Sequence, residues 1–151
     1  MTEKSLELTA EGSTLIARSI MTVFEFVCDP RRMTEDITPL EDRIQSQGEP
    51  GLGWVSQVEV EIAARVVRYQ CRCTVFEPPT RLVLEMEGDV NGEQIFTLAE
   101  QPDGTRLTLY FKCVIPPRAP AYFHEEPART HFAHTLVSQT LSNIQAALET
   151  G

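Results

Sequence analysis

Three histidines cluster near the C-terminus, and their spacing raises the question of a metal site. His131 and His134 are three residues apart, so a helix would place them on one side, within reach of His124 or Glu125. Imidazole and carboxylate both bind zinc, but this spacing matches no recognised zinc motif, and the cysteines lie far away in sequence. We therefore expect no metal and no cofactor, with these histidines at the solvent edge of a helix. A second hypothesis is that one of these histidines acts as a general base at the mouth of a cavity, although the sequence positions no partner for it.

Tyr69 is the candidate for a catalytic side chain, because it occupies an inward position of a predicted strand. A buried phenol needs a hydrogen-bond partner, and its hydroxyl could polarise a carbonyl or protonate an enolate. The simpler alternative is a core tyrosine whose hydroxyl reaches solvent or the backbone. No Asp, Glu or Lys falls at an inward position in mid-strand, so the catalytic residues stay unknown. Other polar groups at inward, strand-end or undecided positions are Ser56, Cys71, Cys73, Gln94, Arg18, Arg65 and Glu25.

Large apolar side chains fill most of the remaining inward positions and would line a cavity between a sheet and a helix. Such a lining is adaptable and prefers apolar or aromatic ligands. Taken one at a time, each of these residues is more simply explained as core. The predicted ligand-binding residues are Trp54, Ser56, Tyr69, Cys71, Met86, Phe96, Phe111, Phe132 and Leu136.

The C-terminal stretch, residues 125–149, has the periodicity of one long amphipathic helix. Pro127 suits the first helical turn. Such a helix is not stable alone in water, so the rest of the chain must cover its apolar stripe. The predicted stripe consists of Phe132, Leu136 or Val137, Thr140 or Leu141, Ile144 and Leu148.

The N-terminal part is predicted to be a strand followed by short helical segments. Residues 6–18 alternate as a first strand, in which Gly12 indicates a bulge. Ser19 is a good N-cap for a short helix over 20–28, which Pro30 ends. A second helical turn over 31–34 and a strand over 40–47 complete this part.

The middle of the chain predicts a meander of antiparallel strands. Apolar residues alternate over 54–62, and the parity then changes, which requires a turn or bulge that we place at Ala63-Ala64. Further strands are separated by turn signals at 77–80, 91–92 and 102–104. Together with the long helix they make an α+β layer, with space for a ligand where the sheet curls over the helix. The inward residues predicted after the parity change are Val67, Tyr69, Cys71, Cys73, Val75, Leu82, Leu84, Met86, Phe96, Leu98, Leu107, Leu109, Phe111, Cys113 and Ile115.

Length and composition predict a single domain covering residues 1–151. A chain of 151 residues with 42% hydrophobic and 23% charged residues suffices for one core and is too short to expect two domains. A net charge of −9 without a Lys/Arg cluster argues against binding to nucleic acid or to an anionic membrane surface. No apolar run approaches the roughly 20 residues that span a bilayer.

The N-terminus and the cysteines predict a cytoplasmic protein. The first residues are acidic, where a secretory signal would be basic and then apolar. Cys71 and Cys73 lie two apart in a predicted strand and share one face. We expect these two, with Cys28 and Cys113, to be free, buried thiols in a reducing compartment.

Four local motifs, together with the order of the elements, resemble the SRPBCC superfamily, the START-like or Bet v 1-like helix-grip proteins. Residues 23–30 resemble the first-helix motif of polyketide cyclase/dehydrase-like members, and 51–54 the glycine-rich turn entering the third strand. Residues 77–82 and 103–108 resemble the turns before the fifth and seventh strands. The resemblance implies a helix-grip fold: a curved antiparallel sheet of six to seven strands wrapped around a long C-terminal helix, with two short helices after the first strand. It also implies a hydrophobic cavity between sheet and helix, which relatives use for lipids, sterols, polyketides or plant hormones.

We therefore expect this protein to bind a small hydrophobic ligand (a lipid, polyketide or aromatic molecule) in that cavity. Because a minority of relatives catalyse cyclisation or dehydration there, a polyketide cyclase/dehydratase-like enzyme is an alternative, which an inward acid–base pair would favour. A protein-interaction module of the co-chaperone kind is a second alternative, which a filled interior and a large exposed apolar patch would favour. We expect no nucleic-acid partner and no membrane insertion, and a homodimer is compatible with the sequence.

Overall fold

A seven-stranded antiparallel sheet and two helices make up the described part of the chain. The computed structural model describes residues 6–29, 43–47, 51–62, 65–89, 91–115 and 125–150. The sheet is curved, and its strand order is β1-β7-β6-β5-β4-β3-β2. The elements are β1 Leu6–Ile16, α1 Ile20–Val27, β2 Arg43–Gln47, β3 Val55–Ile62, β4 Arg65–Glu77, β5 Arg81–Gly88, β6 Asn91–Gln101, β7 Gly104–Ile115 and α2 Glu126–Thr150. The predicted α+β helix-grip fold is confirmed.

Helix α1 forms where the capping signal predicts it. Ser19 has extended backbone angles, and its side-chain oxygen accepts a hydrogen bond from the backbone N–H of Thr22 at 3.3 Å. The helix buries Val23, Phe24, Phe26 and Val27 against the sheet. The Phe24 ring lies 5.4 Å, centroid to centroid, from that of Phe76 on β4. The predicted second helical turn over 31–34 lies outside the described residues.

Helix α2 packs mainly on β1 and β7, at one edge of the sheet. Among the described side chains, Ala133 is buried although it is not part of the predicted stripe, and of the alternatives Leu136 and Val137 the buried residue is Val137. The buried residues follow one another at steps of four, four, three and four residues, which keeps the stripe in phase with the helical repeat. The side chain of Phe132 lies outside the described residues. The buried residues are Ala133, Val137, Leu141, Ile144 and Leu148.

Gly12 does not form the predicted bulge. The pairing of β1 with β7 runs without a shift from Leu6 opposite Ile115 to Ile16 opposite Thr105. A Cβ atom at Gly12 would lie 3.0 Å from Cγ1 of Val137 on α2. Glycine therefore serves here for the close approach of the helix to the strand.

A bulge does occur in β4, where the sequence gives no glycine or proline to indicate it. The pairing of β4 with β5 shifts between Cys73 and Val75. The shift places Phe76 opposite Leu82 and on the core side, where it packs against α1. Val75, predicted to face inward, pairs with Val83 and falls on the outer face instead.

The remaining strand ends agree with the turn signals. β2 covers Arg43–Gln47, and residues 40–42 of the predicted strand lie outside the described part of the chain. β3 ends at Ile62 and β4 begins at Arg65, and these two residues face each other across the pair. The turn predicted at 63–64 itself lies outside the described residues.

Candidate ligand-binding site

The inward face of the sheet consists of side-chain rows that cross the strands. Directly opposite residues of antiparallel neighbours place their Cβ atoms about 5 Å apart. In one row Ser56 on β3 lies opposite Cys71 on β4, and Cys71 lies opposite Met86 on β5. In the next row, Cys73, Leu84, Gln94 and Phe111 follow one another on β4, β5, β6 and β7.

Helix α2 leaves the central strands of this face less covered than the edge it lies on. Beneath the helix, Leu109, Phe111 and Cys113 of β7 are fully buried. Over the central strands, Leu84 and Gln94 remain partly accessible although both occupy inward positions in mid-strand. We refer to this less covered part of the inward face, over β4, β5 and β6, as the accessible space.

Polar groups of the inward face lie next to this space. Ser56 is 1% exposed, and its hydroxyl makes no hydrogen bond with any side chain or backbone group in the described part of the chain. The amide nitrogen of Gln94 donates to Sδ of Met86 at 3.4 Å, a weak acceptor for an amide donor. These two groups have hydrogen-bonding capacity that the described residues do not use.

The cysteines are inert at neutral pH, because burial keeps their thiols protonated. Desolvation raises the pKa of Cys71 and that of Cys113 from 9.0 to about 12. Burial, followed by the neighbouring charge of Asp29, raises the pKa of Cys28 to about 11. All four cysteines are free, and Cys71, Cys73 and Cys113 are buried as predicted, whereas Cys28 is only half-buried. A protonated thiol is a poor nucleophile, so the geometry offers no thiolate catalyst.

The predicted ligand-binding residues fall into three groups. Ser56, Cys71 and Met86 are neighbours beside the accessible space, and Trp54 precedes them on the same face of β3. Phe96 and Phe111 are fully buried in the core. Tyr69 and Leu136 are half-buried against that core. Phe132 lies outside the described side chains.

Leu84 and Gln94 line the space but were not among the predicted ligand-binding residues. Leu84 lies two residues before Met86 and therefore faces the same side of the sheet. The sequence indicates Gln94 only as an inward polar group. Position within the sheet distinguishes them from ordinary core residues, since β5 and β6 lie away from the helix. If each predicted strand of the meander is placed beside the next one, β5 and β6 fall in the central part of the sheet. That strand order would have indicated Leu84 and Gln94.

The histidine cluster stays apart from this space. His131 and His134 are exposed on α2, and Nε2 of His131 lies 3.5 Å from Oγ1 of Thr135. Within the described ranges, no three His, Cys, Asp or Glu side chains approach closely enough to hold a metal ion. His124 lies outside them. Glu25, whose side was undecided, points to solvent.

A second depression of about 410 Å³ lies on the surface, at the end of β1. It is open and largely polar. The Arg18 guanidinium at its rim already donates to the backbone carbonyls of Ala17 at 2.8 Å and Glu149 at 3.4 Å. The depression does not reach the inward face of the sheet, and we assign it no ligand. It is lined by Ala17, Arg18, Ser19, Ile20, Glu100, Gln101, Asp103 and Gly104.

Comparison with solved structures supports the fold. The chain superposes on the di-domain ARO/CYC StfQ of the steffimycin biosynthetic pathway with a TM-score of 0.77 and 13% identity, covering 96% of this chain and 52% of that one. It superposes on a conserved protein from Geobacillus kaustophilus with a TM-score of 0.75, 19% identity and coverage of 95% and 96%. For Ara h 8.0201 the TM-score is 0.72 and the identity 11%, with coverage of 96% and 99%. Identities this low show the shared fold alone.

Family membership rests on the sequence itself. No curated protein matches the chain. None of the helices in the described part is long and apolar enough to cross a membrane. The sequence pattern of one family matches residues 7–149, nearly the whole chain. The chain belongs to the polyketide cyclase / dehydrase and lipid transport family.

Proposed function

We propose that this protein binds a small hydrophobic molecule in the space between the inward face of β4–β6 and helix α2. The observation that carries the proposal is the partial accessibility of Leu84 and Gln94 in the middle of the sheet. Inward side chains at such positions are normally sealed by the opposing layer. Their accessibility is what a ligand-sized space over the central strands would produce.

The lining chemistry supports an apolar ligand. Leu84 and Met86 supply aliphatic and thioether surface, and Met86 adapts to ligands of different shape. Buried Trp54 precedes Ser56 on the same strand face and adds an aromatic wall. Lipid transport in the family description is compatible with this lining.

Trp54 is the only tryptophan of the chain, so its fluorescence reports on the site. We expect a panel of fatty-acid esters and polycyclic aromatics to give saturable quenching or a blue shift at micromolar affinity, about −8 kcal/mol. A panel that gives no saturable signal would contradict the proposal.

Two matched phenylalanine variants locate the binding. Leu84→Phe adds bulk to the accessible space and should weaken the affinity of every ligand that binds. Ile95→Phe adds comparable bulk next to Gln94 but on the outer face, since neighbouring residues of a strand point to opposite sides. Ile95→Phe should therefore leave binding unchanged. Equal effects of the two variants would place the ligand elsewhere.

A polyketide cyclase/dehydratase-like enzyme in the same space is the second candidate, favoured by the family description. The described inward side chains over β4–β6 include Ser56, Tyr69 and Gln94 but no carboxylate or imidazole. General acid–base catalysis would then depend on a phenol such as Tyr69. Mass analysis of a poly-β-ketone recovered from the protein separates the candidates. A carrier returns it unchanged, and a cyclase returns it cyclised with loss of water.

The interaction-module hypothesis has less support, since Met21 and Leu52 are the only large apolar side chains exposed in the described part. Four free thiols support a reducing compartment such as the cytoplasm as the location. A homodimer remains a proposal that sedimentation analysis would test.

A further inference from the structure

The row formed by Ser56, Cys71 and Met86, with the Gln94 amide beside Met86, is an uncharged strip of polar and sulfur-containing groups on the inward face. Ser56, Cys71 and Met86 lie directly opposite one another on consecutive strands. The amide nitrogen of Gln94 lies 3.4 Å from the Met86 sulfur, which places it at the far end of the row. The strip spans two strand spacings, about 10 Å, from the Ser56 hydroxyl to the Gln94 amide.

The Ser56 hydroxyl is the unusual member of the strip. Only 1% of the residue is exposed, and its hydroxyl has no hydrogen-bond partner in the described part of the chain. An unpartnered buried hydroxyl costs stability, and alanine would fill the same place without that cost. Thr105 is equally buried, and its hydroxyl donates to the carbonyl of Arg18 at 2.8 Å. Burial alone therefore does not explain the unused hydroxyl of Ser56.

We propose that this strip is a subsite for an uncharged oxygen, so that the ligand is an apolar molecule carrying a carbonyl or hydroxyl group rather than an ionised carboxylate. The Ser56 hydroxyl donates to that oxygen, and the Gln94 amide serves a second polar group about one ring system away. This inference rests on the proposed function, because it assigns the ligand class of the same space.

The surroundings of the strip disfavour an anion. Cys71 directly opposite Ser56 stays protonated far into the alkaline range because its surroundings do not solvate charge. A ligand carboxylate at the same place would lose its hydration and meet a hydroxyl and a thiol instead of a cation. A ketone or ester oxygen loses much less hydration, and one hydroxyl donor satisfies it.

The test compares three naphthalenes that differ only in the substituent at one ring position: an acetyl, an ethyl and a carboxylate group. Calorimetric titration should show that Ser56→Ala weakens the affinity for acetylnaphthalene about three- to tenfold, which is the effect of losing one neutral hydrogen bond. The same variant should leave the affinity for ethylnaphthalene unchanged. Each ligand is compared between wild type and variant, so the contribution of its own hydrophobicity cancels. Thr97→Ala, an exposed change on the outer face of β6, is the control and should alter neither affinity.

The carboxylate arm tests the charge preference. The methyl ester of naphthoic acid should bind, and naphthoate at neutral pH should bind at least tenfold more weakly. The subsite would be overturned if Ser56→Ala weakened the affinities for acetyl- and ethylnaphthalene equally, or if naphthoate bound as tightly as its ester. Either result would leave the proposed function standing. If wild-type protein binds none of the naphthalenes, the subsite proposal fails, and the tryptophan titration with the wider ligand panel decides the proposed function separately.

Discussion

At the scale of single residues, hydroxyl groups at two equally buried positions have different surroundings. Thr105 donates to the carbonyl of Arg18 and so ties β7 to the segment that leads into α1. Ser56 faces the accessible side of the sheet, and its hydroxyl has no partner in the described ranges. We attribute the first hydroxyl to the stability of the fold and the second to ligand binding.

This difference predicts opposite outcomes for two hydroxyl deletions. Ser56→Ala should leave the free energy of unfolding unchanged or raise it, because the deleted group has no bond to lose. Thr105→Val should lower it by roughly 1–2 kcal/mol, because the carbonyl of Arg18 loses its donor. Urea denaturation of the ligand-free variants measures both changes. If Ser56→Ala lowered the free energy of unfolding as much as Thr105→Val does, the Ser56 hydroxyl would contribute to the stability of the fold.

At the scale of elements, α2 gains its stability from the edge of the sheet that it covers. Ile144 is fully buried in the C-terminal half of the helix, and Gln145 beside it donates to the carbonyl of Leu15 at 2.9 Å and accepts from Thr14 at 3.0 Å. These contacts fix the helix on β1. Helix α2 packs little on β4–β6, and Leu84 and Gln94 on β5 and β6 remain partly accessible.

Two alanine variants test which face of α2 is buried. Ile144→Ala should lower the free energy of unfolding by about 2–5 kcal/mol, the usual range for emptying a packed core position. His131→Ala changes an exposed side chain and should cost well under about 1 kcal/mol. Chemical denaturation of the two variants provides the comparison, and similar losses would mean that the helix face is wrongly assigned.

The alternation of apolar residues predicts most strands and both described helices, because inward and outward positions differ in burial. It does not predict the bulge after Cys73, because an extra residue in one strand depends on how the partner strand twists. Glycine in a strand indicates either a bulge or a close approach of another element, and only the position of Val137 shows that Gly12 serves the close approach. The sequence does not predict the burial of Ala133, because a small residue gives little hydrophobic signal.

The site is less predictable than the fold. Parity identifies Ser56, Cys71 and Met86 as inward, but it cannot separate a core residue from a cavity residue. That separation depends on where α2 lies over the sheet, and tertiary packing decides this. Leu84 illustrates the point, because its sequence context matches that of fully buried Leu82 two residues earlier.

At the scale of the whole molecule, buried thiols couple stability to alkaline pH. The pKa of Cys71 is about 12 in the folded protein and near 9.0 when the thiol is exposed. Below about pH 9 the thiol is protonated in both states, so its contribution is constant. Between about pH 9 and 12 only the unfolded state loses the proton, so stability falls as the pH rises.

The Cys71→Ala variant should therefore lose less stability than wild type between about pH 8 and 10. It lacks one of the thiols whose pKa differs between the folded and unfolded states. Urea denaturation at each pH measures the slope for both proteins. Tyrosines and lysines titrate in both, so only the difference between the slopes is diagnostic. Identical slopes would mean that the Cys71 thiol is exposed to solvent in the folded state.

The central claim is that an apolar molecule binds against the inward face of the central strands. Intermolecular nuclear Overhauser effects between acetylnaphthalene and methyl-labelled protein test it directly, because they require protons within about 5 Å, roughly one strand spacing. We predict contacts from the ligand to the methyl groups of Leu84 and Met86 and none to Val83, which directly precedes Leu84 in sequence but lies on the outer face. Contacts to Val83 without contacts to Leu84 and Met86, or no contacts at a saturating ligand concentration, would contradict the account.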